Sequence, residues 1–579
     1  MADPVATASD LVKRFPGAAA PALDSVSLAV EPGRITGLVG PDGAGKTTLI
    51  RLLAGLMAPD AGEVSILGSP PAQQLDQLGY MPQRFGLYED LTVRENLDLY
   101  AELRALPKEE HEETFKRLLD FTDLARFQDR LAGNLSGGMK QKLGLACTLV
   151  RTPRLMLLDE PGVGVDPISR RELWAMVQDL TQQDIAILWS TAYLDEAEKC
   201  DKVYLLNEGK LLFEGAPGEL TGRVEGRIIQ VTGFEGRRRD FLRRVLDRDD
   251  IIDGSIHGRS VRLLAADDRP LPAAGDFEAG PDTQASRLPA RFEDGFIEIL
   301  GGGPGGSSPL AEHYRTIPDE GRPAIEANGL TKRFGSFTAA RDMRFAIPQG
   351  QIYGLLGPNG AGKSTTFKML CGLLSPTDGT GSVAGNDLRK SAAEARGSLG
   401  YMAQKFSLYG ELSVAQNLDF FAGAYNLSRA DARRAKQAMI EIFALGDRLD
   451  QNAAALPLGF KQRLALACAV MHEPPVLFLD EPTSGVDPVT RREFWTHING
   501  LVEKGVTVLV TTHFMDEAEY CDGVSLIYRG EQIATGTPDE LKEHAAEISG
   551  KADPTMEDAF IALIEASEQE GDPQGREAA

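Results

Sequence analysis

The sequence predicts an α/β protein that carries two copies of one domain, and three observations indicate this fold class. Two apolar runs, ITGLVG at 35–40 and IYGLLG at 352–357, each lead into a glycine-rich loop. Two further apolar runs, LMLLDE and VLFLDE, have the pattern of buried strands and end in paired carboxylates. From residue 79 onward, long blocks of sequence also recur at a constant offset of 321 residues. Two units this similar are expected to share one fold.

The repeated blocks define the domain boundaries. GYMPQRFGLYEDLTVRENL at 79–97 matches GYMAQKFSLYGELSVAQNL at 400–418, and LMLLDEPGVGVDP matches VLFLDEPTSGVDP. We therefore predict domains over residues 5–222 and 324–545. Similar codas follow them, RFEDGFIEIL at 291–300 and TMEDAFIALI at 555–564, and residues 546–579 are predicted to hold the second coda and a disordered tail. The codas are offset by only 264 residues, so the first unit contains an insertion.

The sequence of the insertion predicts a small β/α module with a coda helix, over residues 223–300. IIQV, DFLRRVLDR and SVRLL provide its strand and helix patterns, and the acidic, proline-rich stretch 267–290 predicts a loop. GGGPGGSSP opens a predicted flexible linker over 301–323. The basic island GRRRDFLRRVLDR at 236–248 has two interpretations: a solvated helix face, which its interrupting aspartates favour, or a surface for anionic lipid headgroups.

Composition excludes several classes of function. The 579 residues carry a net charge of −24, which argues against nucleic acid as the main partner. Five scattered cysteines form no metal-knuckle spacing and indicate reduced thiols in a cytosolic protein. The first residues lack the pattern of a signal peptide, and no apolar run approaches the ~20 residues needed to span a bilayer. Any membrane part is therefore expected from another chain.

The glycine-rich loops predict phosphate binding. Each has the pattern G-x-x-x-x-G-K-[ST] between a strand and a helix, so that the backbone can wrap a phosphate at the positive end of the helix. Lys46 and Lys363 are predicted to reach the terminal phosphates of ATP, and Thr47 and Ser364 to offer hydroxyls to Mg²⁺. The predicted loop residues are Gly40, Pro41, Asp42, Gly43, Ala44, Gly45, Lys46, Thr47 and Thr48 in the first copy, and Gly357, Pro358, Asn359, Gly360, Ala361, Gly362, Lys363, Ser364 and Thr365 in the second.

The paired carboxylates complete a nucleotide site. Asp159 and Asp480 suit the shell of a Mg²⁺ ion, and Glu160 and Glu481, one residue further on, can accept a proton from an attacking water. A carboxylate at a buried strand end can also be purely structural, but the phosphate-binding loop makes that interpretation less favoured.

LSGGMKQKL at 135–143, together with these motifs, resembles the signature of ATP-binding cassette (ABC) proteins, and nearly the whole chain is similar to tandem-cassette ATPases of bacterial ABC-2 multidrug exporters. The resemblance implies P-loop NTPase domains, each with a RecA-like core and a helical subdomain. It implies that the cassettes pair head to tail and that the signature residues Ser136, Gly137 and Gly138 bind the ATP of the other cassette. It also implies that Phe15 and Phe334 stack on adenine, with core packing as the alternative, that Gln83 and Gln404 contact Mg²⁺, and that His513 grips the γ-phosphate.

The sequence departs from the family pattern at two places. Ala192 occupies the position of the switch histidine in the first cassette, and a methyl group cannot bond to phosphate. In the second cassette Pro457 and Leu458 replace the serine and first glycine of the signature. Under head-to-tail pairing both defects fall in one composite site, so we predict one consensus and one degenerate site. The alternative is that both turn over, because each keeps its carboxylate.

The segments after the two glutamines are predicted to bind a partner. Thr92 with Glu95, and Ser413 with Gln416, have capping-box spacing and predict helix starts. The aromatic residues just before these helices form either a pocket for a permease helix or ordinary core: Phe85, Tyr88, Phe406 and Tyr409.

The resemblance implies the motor of an exporter that works with two ABC-2 half-permeases and contacts the membrane through them, at the cytoplasmic face of the bacterial inner membrane. The alternatives are a soluble tandem ATPase that acts on ribosomes or nucleic acid, and the ATPase of a sugar importer. The glycine- and proline-rich connection and the acidic charge argue against the first alternative, and the DEAE segments and paired codas against the second.

Overall fold

The computed structural model describes residues 3–16, 20–83, 86–389, 397–403 and 408–571. The chain divides into two compact units. The first comprises Met1–Glu225, Ala290–Gly301 and Gly485–Pro488, and the second comprises Gly226–Pro289, Gly302–Ser484 and Val489–Ala579. The inserted module therefore groups with the second cassette, although it follows the first cassette in sequence. Its coda helix groups with the first.

The first unit contains a six-stranded sheet of order β5-β6-β7-β3-β8-β9, parallel except for the edge strand β9, and a three-stranded antiparallel sheet of order β2-β1-β4. The strands β3, β6 and β7 are buried along their whole length, which explains their continuous apolar sequences. The strands are β1 Ala6–Lys13, β2 Leu23–Val30, β3 Ile35–Val39, β4 Ala61–Ile66, β5 Leu78–Met81, β6 Leu155–Asp159, β7 Ala186–Thr191, β8 Lys202–Asn207 and β9 Lys210–Gly215.

Helices surround the first unit's sheets. Helices follow the parallel strands β3, β5, β6 and β7, and the helical region between β5 and β6 carries the signature sequence. The helices are α1 Lys46–Leu53, α2 Val93–Leu103, α3 His111–Phe121, α4 Gly137–Thr148, α5 Pro167–Thr181, α6 Leu194–Ala197, α7 Pro217–Gly222 and the coda helix α9 Phe292–Ile299.

The inserted module is an antiparallel sheet of order β11-β12-β10-β13 with one helix. Phe234 stacks on Phe241 of that helix at a centroid separation of 4.3 Å, so the module has an apolar core of its own. The predicted strands and helix are confirmed, but β13 lies inside the stretch predicted as a loop, because its four residues pair with β10 despite a polar sequence. The elements are β10 Ile228–Thr232, α8 Arg238–Leu246, β11 Ile251–His257, β12 Ser260–Ala265 and β13 Gln284–Arg287.

The second cassette repeats the architecture of the first. Its six-stranded sheet has the order β19-β20-β21-β16-β22-β23, and a four-stranded sheet has the order β15-β14-β17-β18. The strands are β14 Ile325–Phe334, β15 Phe337–Ile347, β16 Ile352–Leu356, β17 Asp378–Val383, β18 Asn386–Asp387, β19 Leu399–Met402, β20 Val476–Asp480, β21 Thr507–Thr512, β22 Gly523–Tyr528 and β23 Glu531–Gly536. The helices are α11 Lys363–Leu370, α12 Val414–Ala424, α13 Arg429–Ile442, α14 Leu458–Val470, α15 Pro488–Glu503, α16 Met515–Ala518, α17 Pro538–Ser549 and α18 Met556–Gly571.

The segment predicted as a flexible linker, 301–323, is packed against the second cassette. It contains the short helix α10 Pro309–His313, with Leu310 fully buried. Ser308 shares a hydrogen bond with Nδ1 of His497 at 3.0 Å, and the Tyr314 hydroxyl donates to the Pro474 carbonyl at 3.0 Å. A Cβ on Gly500 would lie 2.7 Å from Ala311, so this glycine admits the segment. The glycine- and serine-rich composition predicted a flexible segment, and this prediction was wrong because the contacts are with residues far away in the sequence.

The first coda is helical, as predicted, and the second coda is helical as well. The second coda helix continues to Gly571, so the helix includes residues assigned by sequence to the disordered tail. Residues 572–579 lie outside the described residues. Among the helices that the structure describes, none combines the length and the apolar character needed to cross a membrane.

Candidate functional site

The two glycine-rich loops have the same backbone form. Each leaves a buried parallel strand and ends at a glycine that caps the following helix, with φ of 109° at Gly45 and 107° at Gly362. A Cβ would lie 2.5 Å from the Ala22 carbonyl oxygen at Gly45, and 2.4 Å from that of Ala339 at Gly362. Only glycine fits both the angle and the space. The helices α1 and α11 therefore begin where the loops close, with their amide groups toward the loops.

The loop lysines are buried beneath these loops. Nζ of Lys46 donates to the Gly40 and Pro41 carbonyls at 2.8 and 3.1 Å, and Nζ of Lys363 donates to the matching Gly357 and Pro358 carbonyls at 2.6 and 3.0 Å. Lys46 also lies 3.3 Å from Oε1 of Glu160. A buried ammonium held by a loop with the form of a phosphate cradle is suited to bind phosphate oxygens.

The metal-binding candidates converge in the first cassette. Thr47 Oγ1 donates to Oδ1 of Asp159 at 3.1 Å, and the Ser190 hydroxyl donates to the same oxygen at 2.9 Å. Asp159 Oδ2 is buried and accepts no hydrogen bond within the described residues. Burial raises the pKa of Asp159 above its usual range. Hydroxyl and carboxylate oxygens are ligands that Mg²⁺ prefers, so this donor set fits the ion.

In the second cassette a hydroxyl likewise holds the strand-end aspartate, Asp480. The Thr511 hydroxyl donates to its carboxylate, and burial raises its pKa as well. Ser364 follows Lys363 at the start of α11. The two sites are not acidic clusters, since the described part of the chain contains no group of three or more His, Cys, Asp and Glu side chains that could hold a metal ion. A Mg²⁺ ion here would need oxygens from a bound phosphate as well.

The two candidate general bases have an unusual backbone. Glu160 and Glu481 have φ of 52° and 49°, a left-handed conformation that is rare for residues other than glycine, asparagine and aspartate. Such strain costs about 1–3 kcal/mol and is concentrated at functional sites. Hydrogen bonds hold it in place: the Glu160 amide donates to the Ser190 hydroxyl at 2.9 Å, and the Glu481 amide to the Thr511 hydroxyl at 3.1 Å.

The surroundings of these two carboxylates differ. Glu160 is paired with Lys46, and its Oε2 accepts a hydrogen bond from Gln83 at 2.5 Å. Glu481 lies against His513, with 3.2 Å between Oε2 and the Nδ1 atom, where the first cassette has Ala192 in the histidine's position. His513 is buried, and neither ring nitrogen makes a hydrogen bond within the described residues. Gln404, the counterpart of Gln83, lies outside the described residues.

The signature positions differ in how they begin their helices. Ser136 caps α4 by accepting a hydrogen bond from the Met139 amide at 3.3 Å. A Cβ on Gly138 would lie 2.5 Å from the Ser169 side chain, so that position requires glycine. In the second cassette Pro457 stands at the N-cap of α14 and provides no side-chain cap. The helix start is kept, and the hydroxyl is lost.

The predicted adenine-stacking residues are exposed. Phe15 and Phe334 are 42% and 52% accessible, and Lys332 Nζ lies 5.2 Å above the Phe334 ring centroid. Core packing, the alternative for both rings, is therefore wrong. Adenine stacking stays a prediction, and it is compatible with a free aromatic face.

The two predicted capping boxes are confirmed. Thr92 and Ser413 each accept from the third residue of the helix, whose own side chain accepts from the cap amide. Tyr88 and Tyr409, just before these helices, are 57% and 49% accessible. These tyrosines are not core residues, which favours the partner-pocket interpretation. Phe85 and Phe406 lie outside the described residues.

Sequence reasoning missed two features of the sites. Glu196 and Glu517 are buried behind the strand ends, and burial raises the pKa of each to about 7. Glu196 accepts from the Thr191 hydroxyl at 2.6 Å, and Glu517 accepts from the Thr483 hydroxyl. The repeated DEAE sequence could have indicated these two glutamates, but the sequence analysis assigned no role to its individual residues. The other feature is Asp42, whose pKa burial raises to about 7 within the first loop, where the second loop has Asn359.

These features define a pair of P-loop nucleotide-binding domains. Residues 23–163 and 340–484 match the ABC transporter family. The chain is 56% identical over 571 residues to the "Probable multidrug ABC transporter ATP-binding protein YbhF" of Escherichia coli (strain K12), covering 97% of this chain and 98% of the relative. It therefore belongs to the family of ABC transporter ATP-binding proteins, which are ATP hydrolases. The family and enzyme class that the sequence indicated are confirmed.

Two further comparisons are more distant. The chain is 36% identical to the Nod factor export ATP-binding protein I of Ralstonia nicotianae, over 43% of this chain and 80% of that relative. A solved structure of an RNase-L Inhibitor covers 93% of this chain and 93% of its own, with a TM-score of 0.55 and 19% identity. At that identity the likeness shows the fold alone, and it gives no support to the ribosome or nucleic-acid alternative.

Proposed function

We propose that this protein is the ATP-hydrolysing motor subunit of a multidrug-type exporter that works with ABC-2 type permease subunits. The single observation that carries the proposal is the pairing of Glu481 with His513 in a buried, strained strand end. Whole-length similarity to a relative named as a multidrug transporter ATP-binding protein supports the export role.

The second cassette supplies the reactive side chains. Lys363 binds the terminal phosphates, and His513 donates to the γ-phosphate and positions the attacking water. Glu481 accepts a proton from that water as its oxygen bonds to the γ-phosphorus, while the bond to the β–γ bridging oxygen breaks. The products are ADP and inorganic phosphate. Burial of these groups strengthens each electrostatic interaction with the phosphates.

Magnesium fits the oxygen donors of both cassettes. Thr47 and Asp159 would hold it in the first, and Ser364 and Asp480 in the second, with Gln83 and Gln404 as further proposed ligands. When bound, the ion neutralises phosphate charge. The residues of this chain keep the coordinating oxygens in place through the hydroxyls of Ser190 and Thr511.

The two sites are proposed to be unequal. In head-to-tail pairing, the second cassette's Lys363, Glu481 and His513 would act with Ser136, Gly137 and Gly138 of the first. The other site would combine Lys46, Glu160 and Ala192 with Pro457 and Leu458. Support comes from the lost cap at Pro457 and from Ala192, which stands where the second cassette has His513 beside Glu481.

The transport role is tested by what the protein binds and which way it moves cargo. We expect the full chain, affinity-purified from detergent-solubilised bacterial membranes, to bring down two half-permease subunits. Their location would place the protein at the cytoplasmic face of the inner membrane. Inside-out vesicles with the complex should accumulate a drug only with ATP, and Tyr409→Ala should weaken the co-purification. Recovery with ribosomes, or uptake in the import direction, would contradict the proposal.

A further inference from the structure

In the basic island of the inserted module, Arg238 and Arg239 form neither a solvated helix face nor a lipid-binding surface. Arg238 and Arg239, at the start of α8, contact the second cassette. Both interpretations offered by the sequence are therefore wrong for these two arginines. Arg244 on the same helix is exposed and matches the expected solvated face.

The two arginines converge on one turn of the second cassette. Arg239 makes a bidentate pair with Asp522, with N–O distances of 3.0 and 2.8 Å, and Arg238 donates to the same carboxylate at 3.0 Å. Although burial opposes its charge, Arg239 and Arg238 lower the pKa of Asp522. Oδ2 of Asp522 also accepts from the amide of Ile352, the first residue of β16, which leads into the second phosphate loop.

The same arginines cap the end of a short helix. Arg238 donates to the carbonyl of Cys521 at 2.6 Å, and Arg239 donates to the carbonyl of Tyr520 at 3.0 Å. These carbonyls follow α16, a four-residue helix that begins two residues after His513. Cations near a helix C-terminus satisfy its unpaired carbonyls. The module thus fixes one end of the segment that carries His513 at its other end.

A second contact from the module reaches the same region. Asp253 of β11 pairs with Arg492 at 3.2 Å, and Arg492 donates to the Tyr520 hydroxyl at 3.3 Å. The Tyr520 ring stacks on Trp495 at 4.7 Å. Both members of the Asp253–Arg492 pair are largely buried, and breaking a buried pair from one side is strongly destabilising. The turn is therefore held by module side chains from two directions.

The first cassette lacks this support. Asp201 is the counterpart of Asp522 in the first cassette, and it accepts a hydrogen bond from the Ile35 amide at 2.8 Å. No arginine of the described residues donates to Asp201. Three other residues of the second cassette contact the module: Asn499 accepts from Arg239, Glu503 pairs with Arg243, and Asp539 accepts from the Arg259 amide. At the repeat offset of 321 residues they correspond to Gln178, Gln182 and Gly218. The acidic surface that receives the module is thus particular to the cassette that has the switch histidine.

We propose that the inserted module, residues 226–289, is a positioning element for ATP hydrolysis in the second cassette. Arg238 and Arg239 hold the turn 520–522 and thereby keep His513 in register with Glu481. This inference rests on the proposed function, since it assumes that His513 and Glu481 carry the hydrolysis. Arg238 and Arg239 touch no substrate and act through the turn.

The test compares Arg239→Ala with Arg244→Ala in the full-length protein, and measures kcat and KM for ATP. We expect Arg239→Ala to lower kcat about tenfold with KM little changed, because small displacements of a catalytic group slow the chemical step. Arg244→Ala, a matched loss of charge on the same helix, should match the wild type. Equal turnover in the two variants would overturn the proposal.

A double mutant separates positioning from general stability. In a His513→Ala background, single-turnover hydrolysis should show no further loss on adding Arg239→Ala, because the arginine acts through that histidine. A full additional loss would overturn the proposal. If Arg239→Ala fails to fold by circular dichroism, Arg239→Lys keeps the charge without the bidentate pair, and the same kcat loss is expected. Wild-type turnover of Glu481→Gln would instead show that the proposed function itself fails.

Discussion

The two candidate ATP sites share a backbone and differ in their reactive side chains. The capping glycines Gly45 and Gly362 differ by 2° in φ, and the strained glutamates Glu160 and Glu481 by 3°. Beside the second glutamate, Glu481, lies His513, and the first cassette has Ala192 at the corresponding position. The comparison shows that the backbone form of the phosphate loop is the same in both cassettes, although side chains that we propose for hydrolysis differ between them.

Removal of each general base gives the largest expected effect. Glu481→Gln should lower ATP turnover by about 10²–10⁴-fold, because a positioned base contributes that much. Glu160→Gln should lose less than about tenfold, since its cassette has Ala192 in place of the histidine that we propose positions the attacking water. Steady-state phosphate release by the full chain measures both. Similar losses in the two variants would remove the asymmetry.

The switch histidine can be exchanged for the residue of the first cassette. His513→Ala gives the second cassette the methyl group found at Ala192, and we expect turnover to fall about 10²-fold with ATP binding retained. Phosphate release and fluorescent-nucleotide binding measure the two parts separately. His544→Ala on the exposed side of α17 is the matched control and should change neither. Unchanged turnover in His513→Ala would contradict the assigned role.

The first phosphate loop should be pH-dependent. Burial raises the pKa of Asp42 to about 7, so in the folded protein it stays neutral below that pH and ionises above it. The ionised form repels ATP, so nucleotide affinity at the first cassette should fall several-fold from pH 6 to 8. Asp42→Asn should flatten this profile, and Asn359→Asp should introduce a similar dependence in the second cassette. Parallel profiles for wild type and Asp42→Asn would show that Asp42 is not responsible.

The smallest expected effect is local. Ser136→Ala removes the cap of α4, worth about 1 kcal/mol, so hydrogen exchange at the Met139 amide should become about fivefold faster. Pro457→Ala should leave exchange at the start of α14 unchanged, because Pro457 accepts no capping hydrogen bond. Mass spectrometry of peptides that cover both helix starts provides the measurement. Equally faster hydrogen exchange at both helix starts would show that the Ser136 cap does not account for the difference between α4 and α14.

Much of this protein could be predicted from its sequence because the signals were local or repeated. The P-loops, the strand-end carboxylates and the capping boxes each lie within a few consecutive residues, and the repeat supplied a second copy of each. Asp42 was included among the loop residues, but its raised pKa could not be predicted, because a pKa depends on burial by distant parts of the chain.

The sequence by itself determined the repeat of two cassettes, the two phosphate loops between strand and helix, and the substitutions at Ala192 and Pro457. Only the tertiary structure decided that Phe15 and Phe334 are exposed, that 301–323 is packed, and that Arg238 and Arg239 hold a turn 281–284 residues further along the chain. The physical reason is the distance along the chain over which each kind of interaction acts. Propensity and capping act between near neighbours, whereas a buried ion pair forms only where folding brings two distant segments together.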